Sequence, residues 1–119
     1  GAGLSGSQEL AAATWVVVED VTPDDPLLAG LRETLDAGEA AALAIAARIH
    51  ADLVLIDDLR GRQTARGMGL EIKGTLGVLV SAKRAGLVDA IGPLLDALVA
   101  REFWIADDLR ARLLAELGE

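Results

Sequence analysis

The sequence lacks cysteine and tyrosine altogether, and its 119 residues include only one phenylalanine and two tryptophans. The absence of cysteine excludes a disulfide framework and any metal site built on thiolates, and it fits a reducing cytoplasm, where we place the protein. Because aromatic side chains are scarce, the core must be aliphatic. No apolar run approaches the roughly 20 residues of a membrane span. No secretory signal pattern is present either, so we expect no membrane partner.

Basic side chains are also few: 11 stand against 19 acidic ones, which gives a formal net charge of −8. This balance excludes broad, sequence-blind binding to nucleic-acid backbones, which requires clustered Lys and Arg. It leaves room for a local basic rim, because the basic residues are unevenly placed. They form two groups, Arg60, Arg62 and Arg66 in one, and Lys73, Lys83 and Arg84 in the other.

Length and composition predict a single globular domain over residues 1–119. Hydrophobic residues make up 52% and charged residues 25% of the chain, which excludes a disordered protein. Residues 1–13 are predicted to form a Gly/Ser-rich loop and a possible short helix. Beyond them, helical segments alternate with short aliphatic strands. This alternation predicts an α/β fold in which helices flank a mainly parallel sheet.

The predicted elements follow from apolar periodicity and from capping residues. Strands are expected at residues 15–18, 53–56, 70–73 and 103–105. Helices are expected at residues 8–13, 26–35, 39–50, 59–66, 76–85, 94–101 and 107–117. Pro26 opens one of these helices, and Thr75 and Asp107 are the expected N-caps of two others.

The strand at residues 53–56, which runs directly into Asp57 and Asp58, is the predicted centre of the chain's organisation. In open α/β sheets, ligands bind just beyond the carboxyl ends of the strands, so any chemical site is expected here. The alternative is structural, because either carboxylate could cap the next helix. A cap needs one carboxylate and the sequence supplies two. The structural and functional interpretations therefore both stay open.

A third acid, Glu39, lies three residues after Asp36, which is the spacing of a capping box. Taken alone, this favours a structural role at the start of a helix. That helix runs antiparallel to the strand at residues 53–56, so its start and the end of the strand should meet at one edge of the sheet. Carboxylates that converge without His or Cys suit Mg²⁺ or Mn²⁺.

Other polar residues have open or structural interpretations. His50, the one histidine, lies at the far end of the helix from Glu39, so we assign it no catalytic role. Thr75 is an N-cap that could also line the site. Arg60 and Arg62 could be a solvated face or, beside the carboxylates, could hold a substrate phosphate. We expect both to be exposed near the acids.

Three segments in this order resemble a known family: LDAGEA at residues 35–40, LIDDLRGR at residues 55–62 and GTLGVL at residues 74–79. Together they are similar to the PIN-domain family, in its branch of small prokaryotic predicted nucleic-acid-binding proteins and VapC-like toxins. The similarity extends from about residue 15 to the C-terminus.

The resemblance implies a Rossmann-like PIN fold and a metal-dependent endoribonuclease, the toxin of a toxin–antitoxin pair. Glu39 and Asp57 match acids that bind Mg²⁺ or Mn²⁺, and Asp58 is the second choice beside Asp57. RNA and a cognate antitoxin are then the expected partners. Arg60, Arg62 and Thr75 are the expected substrate-binding residues.

The sequence departs from the family at its start. PIN domains open with a strand that ends in a metal-binding Asp, and no such strand is found here. We therefore expect the N-terminal portion of the fold to be missing and the strand at residues 53–56 to lack a neighbour. Such a chain is expected to be inactive by itself. It should form homo-oligomers or retain a partner segment that covers the open edge.

Two other classes of function compete with the nuclease. In a non-catalytic PIN-derived interaction module, the acids would only cap helices. In a phosphoacceptor receiver domain, a further strand would end in a lone Asp, but Asp89 and Asp96 lie in helical contexts. Acids that converge in one cleft would favour the enzyme, and dispersed acids would favour the interaction module.

Overall fold

The computed structural model describes residues 6–119, and the chain falls into two compact units, Gly1–Ala51 and Asp52–Glu119. Part of the predicted Gly/Ser-rich loop, residues 1–5, lies outside the described residues. In the described residues, the first unit is helical and the second combines helices with a sheet of two parallel strands. The sheet is therefore much smaller than the pattern of segments predicts. None of the helices at residues 6–119 has the length and apolarity needed to cross a membrane.

The first unit contains helices α1 (Ser7–Ala12), α2 (Pro26–Leu31) and α3 (Ala37–Ile49). The start of α2 at Pro26 and the N-cap of α3 at Asp36 are confirmed. Asp36 Oδ1 accepts the backbone N–H of Glu39 at 2.8 Å, and so satisfies a donor that has no partner inside the helix.

Helices α2 and α3 pack against each other. Alanines on α3 let the two backbones approach closely, while leucines fill the space between them. Burial removes these side chains from water and stabilises the pair by about 25 cal/mol for each Å² of apolar surface. The buried residues of this core are Leu28, Leu31, Leu35, Ala40, Leu43, Ala44 and Ala46.

The strand predicted at residues 15–18 is absent, which corrects the sequence analysis. Trp15 and Val18 are largely exposed, and the stretch has no regular backbone hydrogen bonding. β-Branched residues favour an extended chain, but a strand also needs a neighbour to pair with. Instead, the Arg48 guanidinium of α3 holds the following residues, through Glu19 Oε2 at 3.2 Å and the carbonyl oxygen of Asp20 at 3.4 Å.

The second unit begins with a strand–helix–strand arrangement. Strands β1 (Val54–Leu55) and β2 (Ile72–Lys73) are connected by α4 (Leu59–Gly67) and run parallel, as predicted. Val54 lies opposite Ile72, and the Val54 N–H donates to the carbonyl oxygen of Glu71 at 2.9 Å. Because the strands are parallel, their carboxyl ends meet at the same edge. That edge carries Asp57 on one strand and the residues that follow β2 on the other.

Three helices complete the second unit: α5 (Thr75–Arg84), α6 (Gly92–Ala100) and α7 (Asp107–Glu116). Two predicted N-caps are wrong, because the cap positions are occupied by Gly74 for α5 and by Ala106 for α7. Thr75 and Asp107 are instead the first helical residues. The Asp107 carboxylate still suits that place, since the N-terminal end of a helix carries partial positive charge.

The strand predicted at residues 103–105 is also absent. Glu102 adopts the left-handed conformation with φ of 68°, and the Phe103 N–H then donates to the carbonyl oxygen of Leu98 at 3.0 Å. This bond closes the C-terminal end of α6 in the manner of a Schellman motif. The backbone group that a strand would use for pairing is therefore occupied by the end of the preceding helix.

The side chain of Glu119 ties three parts of the second unit together. Its Oε2 accepts from Lys83 Nζ at 2.8 Å and from the Ile91 N–H at 2.9 Å, and its Oε1 accepts from the Gly92 N–H at 2.9 Å. The carboxylate thus supplies acceptors to the start of α6, where the N–H groups have no partners within the helix. The Lys83 hydrogen bond, followed by the two backbone donors, lowers the pKa of Glu119 from 4.5 to about 2, although burial opposes the shift.

A carboxyl group whose pKa is lower in the folded state than in the unfolded state stabilises the folded protein at pH values above its unfolded-state pKa. We expect the contribution of Glu119 to be complete above pH 4.5 and to disappear as the pH falls towards 2. Glu119→Gln should lower the stability at neutral pH and flatten its pH dependence in this acid range. Urea unfolding at a series of pH values measures both effects. Glu116→Gln removes an exposed charge on α7 and should leave the acid-range slope unchanged.

Candidate functional site

The two adjacent acids after β1 have different partners. Asp58 is the N-cap of α4, and its Oδ2 accepts the Gly61 N–H at 3.1 Å. This confirms the cap interpretation for one carboxylate. The Asp57 carboxylate takes no part in capping α4 and turns towards the residues that follow β2. The two adjacent acids therefore have separate roles: Asp58 caps α4, and Asp57 contacts the start of α5.

Asp57 binds the first residue of α5 through both carboxylate oxygens. Oδ1 accepts the Thr75 backbone N–H at 2.7 Å, and Oδ2 accepts the Thr75 hydroxyl at 2.6 Å. These bonds connect the end of β1 to the start of α5, 18 residues further along the chain. They also hold the carboxylate in one orientation, because both of its oxygens are engaged by the same residue.

Gly74 leaves the space that this arrangement requires. A Cβ atom at this position would lie 2.9 Å from Asp57 Oδ1 and 3.7 Å from Arg62 Nη1. The backbone of Gly74, with φ of −95°, is open to any residue, so the requirement is one of space and not of conformation. The absent side chain lets the carboxylate of Asp57 reach the N-terminus of α5.

The two predicted substrate-binding arginines lie in different surroundings. Arg60 is exposed, as expected. Arg62 was also expected to be exposed, but it is half-buried, and its Nε is buried without a hydrogen-bond partner among the described residues. Since the two positions lie two residues apart on α4, they project from different sides of the helix. Arg62 projects towards Asp57 and Gly74.

Asp57 and Arg62 line a groove of about 700 Å³ that lies wholly within the second unit. Two more cations line it, Lys73 and Arg84, while Asp57 is its one acid. None of the three cations forms a salt bridge with a carboxylate in the described part of the chain. The groove is therefore locally positive in a protein whose net charge is −8. Its remaining walls come from β2, α5, residues 103–104 and α7.

The sequence analysis did not assign Lys73, Ser81, Arg84 or Trp104 to a site. The sequence did contain a signal for Ser81 and Arg84. Together with Gly77, they follow the four- and three-residue spacing of one helical face. No sequence signal indicates that the side chain of Trp104, which lies between α6 and α7, lines the same groove.

The remaining predicted acid, Glu39, lies on α3 in the first unit, whereas Asp57 belongs to the second. The joint binding of one cation by these two residues stays a prediction. Within each unit, the described residues contain no group of three or more His, Asp or Glu side chains placed to hold a metal ion. The chemistry of Asp57 itself is compatible with Mg²⁺ or Mn²⁺. Each of its oxygens accepts one hydrogen bond and keeps a further lone pair.

The space beside Gly74 gives a test of the arrangement around Asp57. Gly74→Ala should displace the carboxylate from Thr75 and destabilise the protein by about 1 kcal/mol, the cost of one exposed charge-assisted hydrogen bond. Chemical denaturation measures this. Gly67→Ala is the matched control, because a Cβ at that helical position meets nothing within 4 Å. In an Asp57→Ala background the cost of Gly74→Ala should decrease to the preference of an N-cap for Gly over Ala. An unchanged cost would contradict the steric explanation.

Comparison with family models matches residues 2–119 to a family described as a PIN domain. Searches of curated proteins and of solved structures return no match. PIN domains are generally nucleases and typically use divalent metals. Because the match covers nearly the whole sequence, the chain belongs to the PIN-domain family.

Proposed function

We propose that the protein is a metal-dependent endoribonuclease of the PIN type. The observation that carries the proposal is the groove of the second unit, where the Asp57 carboxylate lies among three cations that form no salt bridges within residues 6–119. Arg62, Lys73 and Arg84 would attract an anionic substrate and bring it close to Asp57. A phosphodiester chain is such a substrate.

Asp57 is the residue that we assign to the metal, together with Glu39, and the metal is Mg²⁺ or Mn²⁺. When bound, such a cation stabilises the charge of a phosphodiester under attack and lowers the pKa of a water. The Thr75 N–H and hydroxyl fix the orientation of the Asp57 carboxylate. Thr75 therefore contributes to the site through Asp57, and Asp58 supports it by starting α4 beside it.

We assign substrate binding to Arg60 and Arg62, on different structural grounds for each residue. Arg62 lines the groove, and its buried Nε has no protein partner among the described residues. It is placed to contact a phosphate near Asp57. Arg60 is exposed on the same helix and would contact the chain outside the groove.

The finer part of the proposal is that the nuclease is a toxin held by an antitoxin and that it self-associates. Its support is the edge of β1, which pairs only with β2 in the described part of the chain. Three leucines are exposed on or beside this strand, Leu53, Leu55 and Leu59. An edge strand with exposed apolar side chains favours the addition of a strand from another chain.

A second candidate, the non-catalytic interaction module, is favoured by a different observation. Both acids after β1 already have structural partners, Thr75 for Asp57 and the Gly61 N–H for Asp58. In that case the carboxylates would serve the fold alone. The two candidates differ in what the charge of Asp57 does, which a substitution of equal shape can test.

Asp57→Asn keeps the shape of the side chain and removes its charge. The Asn oxygen can accept the Thr75 N–H, and its amide can donate to the Thr75 hydroxyl, so the fold should be retained. In the full-length protein, we expect this change to reduce Mn²⁺-dependent cleavage of single-stranded RNA to background, while the thermal unfolding midpoint stays close to the wild-type value. Gel electrophoresis of a labelled RNA and circular dichroism measure the two.

Asp58→Asn is the matched control, because Asn caps a helix about as well as Asp. It should retain most of the cleavage. If Asp57→Asn cleaves RNA at the wild-type rate, the assignment of Asp57 is wrong. If the full-length wild-type protein does not cleave RNA with Mg²⁺ or Mn²⁺, the interaction module is the better description.

The two arginines can be tested through the salt dependence of RNA binding. Each phosphate contact on single-stranded nucleic acid contributes about 0.7 to the slope of log K against log salt. Replacing both Arg60 and Arg62 by Ala should weaken binding and lower this slope by about 1.4. Fluorescence anisotropy of labelled RNA at several salt concentrations measures it. Arg66→Ala also removes a positive charge from α4, but Arg66 lines a separate cavity. It should leave the slope unchanged, and an equal decrease would indicate a general charge effect.

A further inference from the structure

The groove of the second unit combines a positive wall with an exposed aromatic side chain. Trp104 lines it although 83% of its surface is exposed. It lies in an extended stretch between α6 and α7, next to the half-buried Phe103. Leaving a large indole in water forgoes the stabilisation that burial provides. The packing of the described residues does not account for this position of Trp104.

Cationic side chains form another part of the groove lining. Lys73, at the end of β2, lies across α5 and donates from Nζ to Ser81 Oγ at 2.7 Å. This path exists because Gly77 has no side chain: a Cβ there would lie 2.8 Å from Lys73 Cγ. Arg84 lies one turn beyond Ser81 on α5 and lines the same groove. The Lys73 Nζ is thereby held in the groove by a neutral hydroxyl, and no carboxylate of the described residues lies at salt-bridge distance from it.

We propose that this groove binds a single-stranded RNA chain, with one base stacked on the Trp104 indole and backbone phosphates held by Lys73, Arg84 and Arg62. The inference rests on the proposed function, since it takes RNA as the substrate, and it assigns the residues that choose single strands. Aromatic platforms beside cationic grooves bind unpaired nucleotides, whose flat faces are free to stack. In a duplex those faces are covered by neighbouring base pairs.

The charge of the protein supports the same choice. With a net charge of −8, the surface as a whole repels nucleic acid, and screening limits this repulsion to a Debye length of about 8 Å at physiological salt. A flexible single strand can enter the groove and bring only a few phosphates close to the protein. A rigid duplex would have to place many phosphates against an acidic surface.

Trp104 can be observed directly, because the chain has only two tryptophans. In a Trp15→Phe protein, emission comes from Trp104 alone. The protein is titrated in EDTA, so that no metal-dependent cleavage occurs, with a single-stranded oligouridine of about ten nucleotides and with a blunt RNA duplex of equal length. We expect saturable quenching of Trp104 by the single strand and binding of the duplex at least about tenfold weaker.

Trp104→Ala should weaken binding of the labelled oligouridine by about five- to hundredfold, the range found for loss of one base–aromatic stack. Trp104→Phe should restore most of the affinity. Trp15→Ala removes an equally exposed tryptophan from the other unit and should have no effect. Arg84→Ala should lower the salt slope by about 0.7, whereas Arg112→Ala, an equal change of charge outside the groove, should not.

Wild-type affinity in Trp104→Ala, or equal affinity for duplex and single strand, would overturn the inference even if RNA cleavage depends on Asp57. Uridine monophosphate binding as tightly as the oligouridine would also overturn it, because the groove would then take a mononucleotide and not a chain. Binding that depends on Trp104, together with no RNA cleavage by the full-length protein in Mg²⁺ or Mn²⁺, would support the inference and refute the nuclease proposal.

Discussion

The second unit depends on the double hydrogen bond between Asp57 and Thr75. The Asp57 carboxylate, just after β1, binds the first residue of α5 and also lines the groove. This residue pair therefore fixes the strand, the helix and the site relative to one another. Gly74 makes the pairing possible by leaving room for the carboxylate. A side chain fixed through both oxygens loses little further freedom when it meets a ligand. This preorganisation is what a catalytic or binding acid requires.

The distribution of charge gives the groove its character. Arg62, Lys73 and Arg84 carry positive charges that no carboxylate of the described residues neutralises at salt-bridge distance. The rest of the chain is acidic enough to give a net charge of −8. Attraction is therefore local while repulsion is spread over the surface. A narrow anionic chain is attracted by the groove and avoids most of the repulsion from the rest of the surface. Selectivity can therefore arise from the shape of the ligand as well as from its charge.

The sequence by itself determined the features that depend on neighbours along the chain. Asp36 and Asp58 cap helices because their side chains reach an N–H group three residues away. Pro26 opens a helix because its ring sets the backbone angle that a first turn needs. The aliphatic run at residues 53–56 was placed in a parallel strand, and family resemblance indicated a PIN domain, which the family match supports. All of these are local signals that an unfolded chain already contains.

Only the tertiary structure decided the features that depend on distant partners. The stretches at residues 15–18 and 103–105 have the composition of strands, but a strand forms only where a ladder partner is available. Thr75 resembles an N-cap in sequence, yet its hydroxyl is taken by a carboxylate 18 residues away. Glu119 is one acid among 19 until folding brings it to Lys83, 36 residues earlier in the chain. In each case the outcome depends on a contact between residues that are distant in sequence. The residues next to them in the chain do not reveal whether that contact forms.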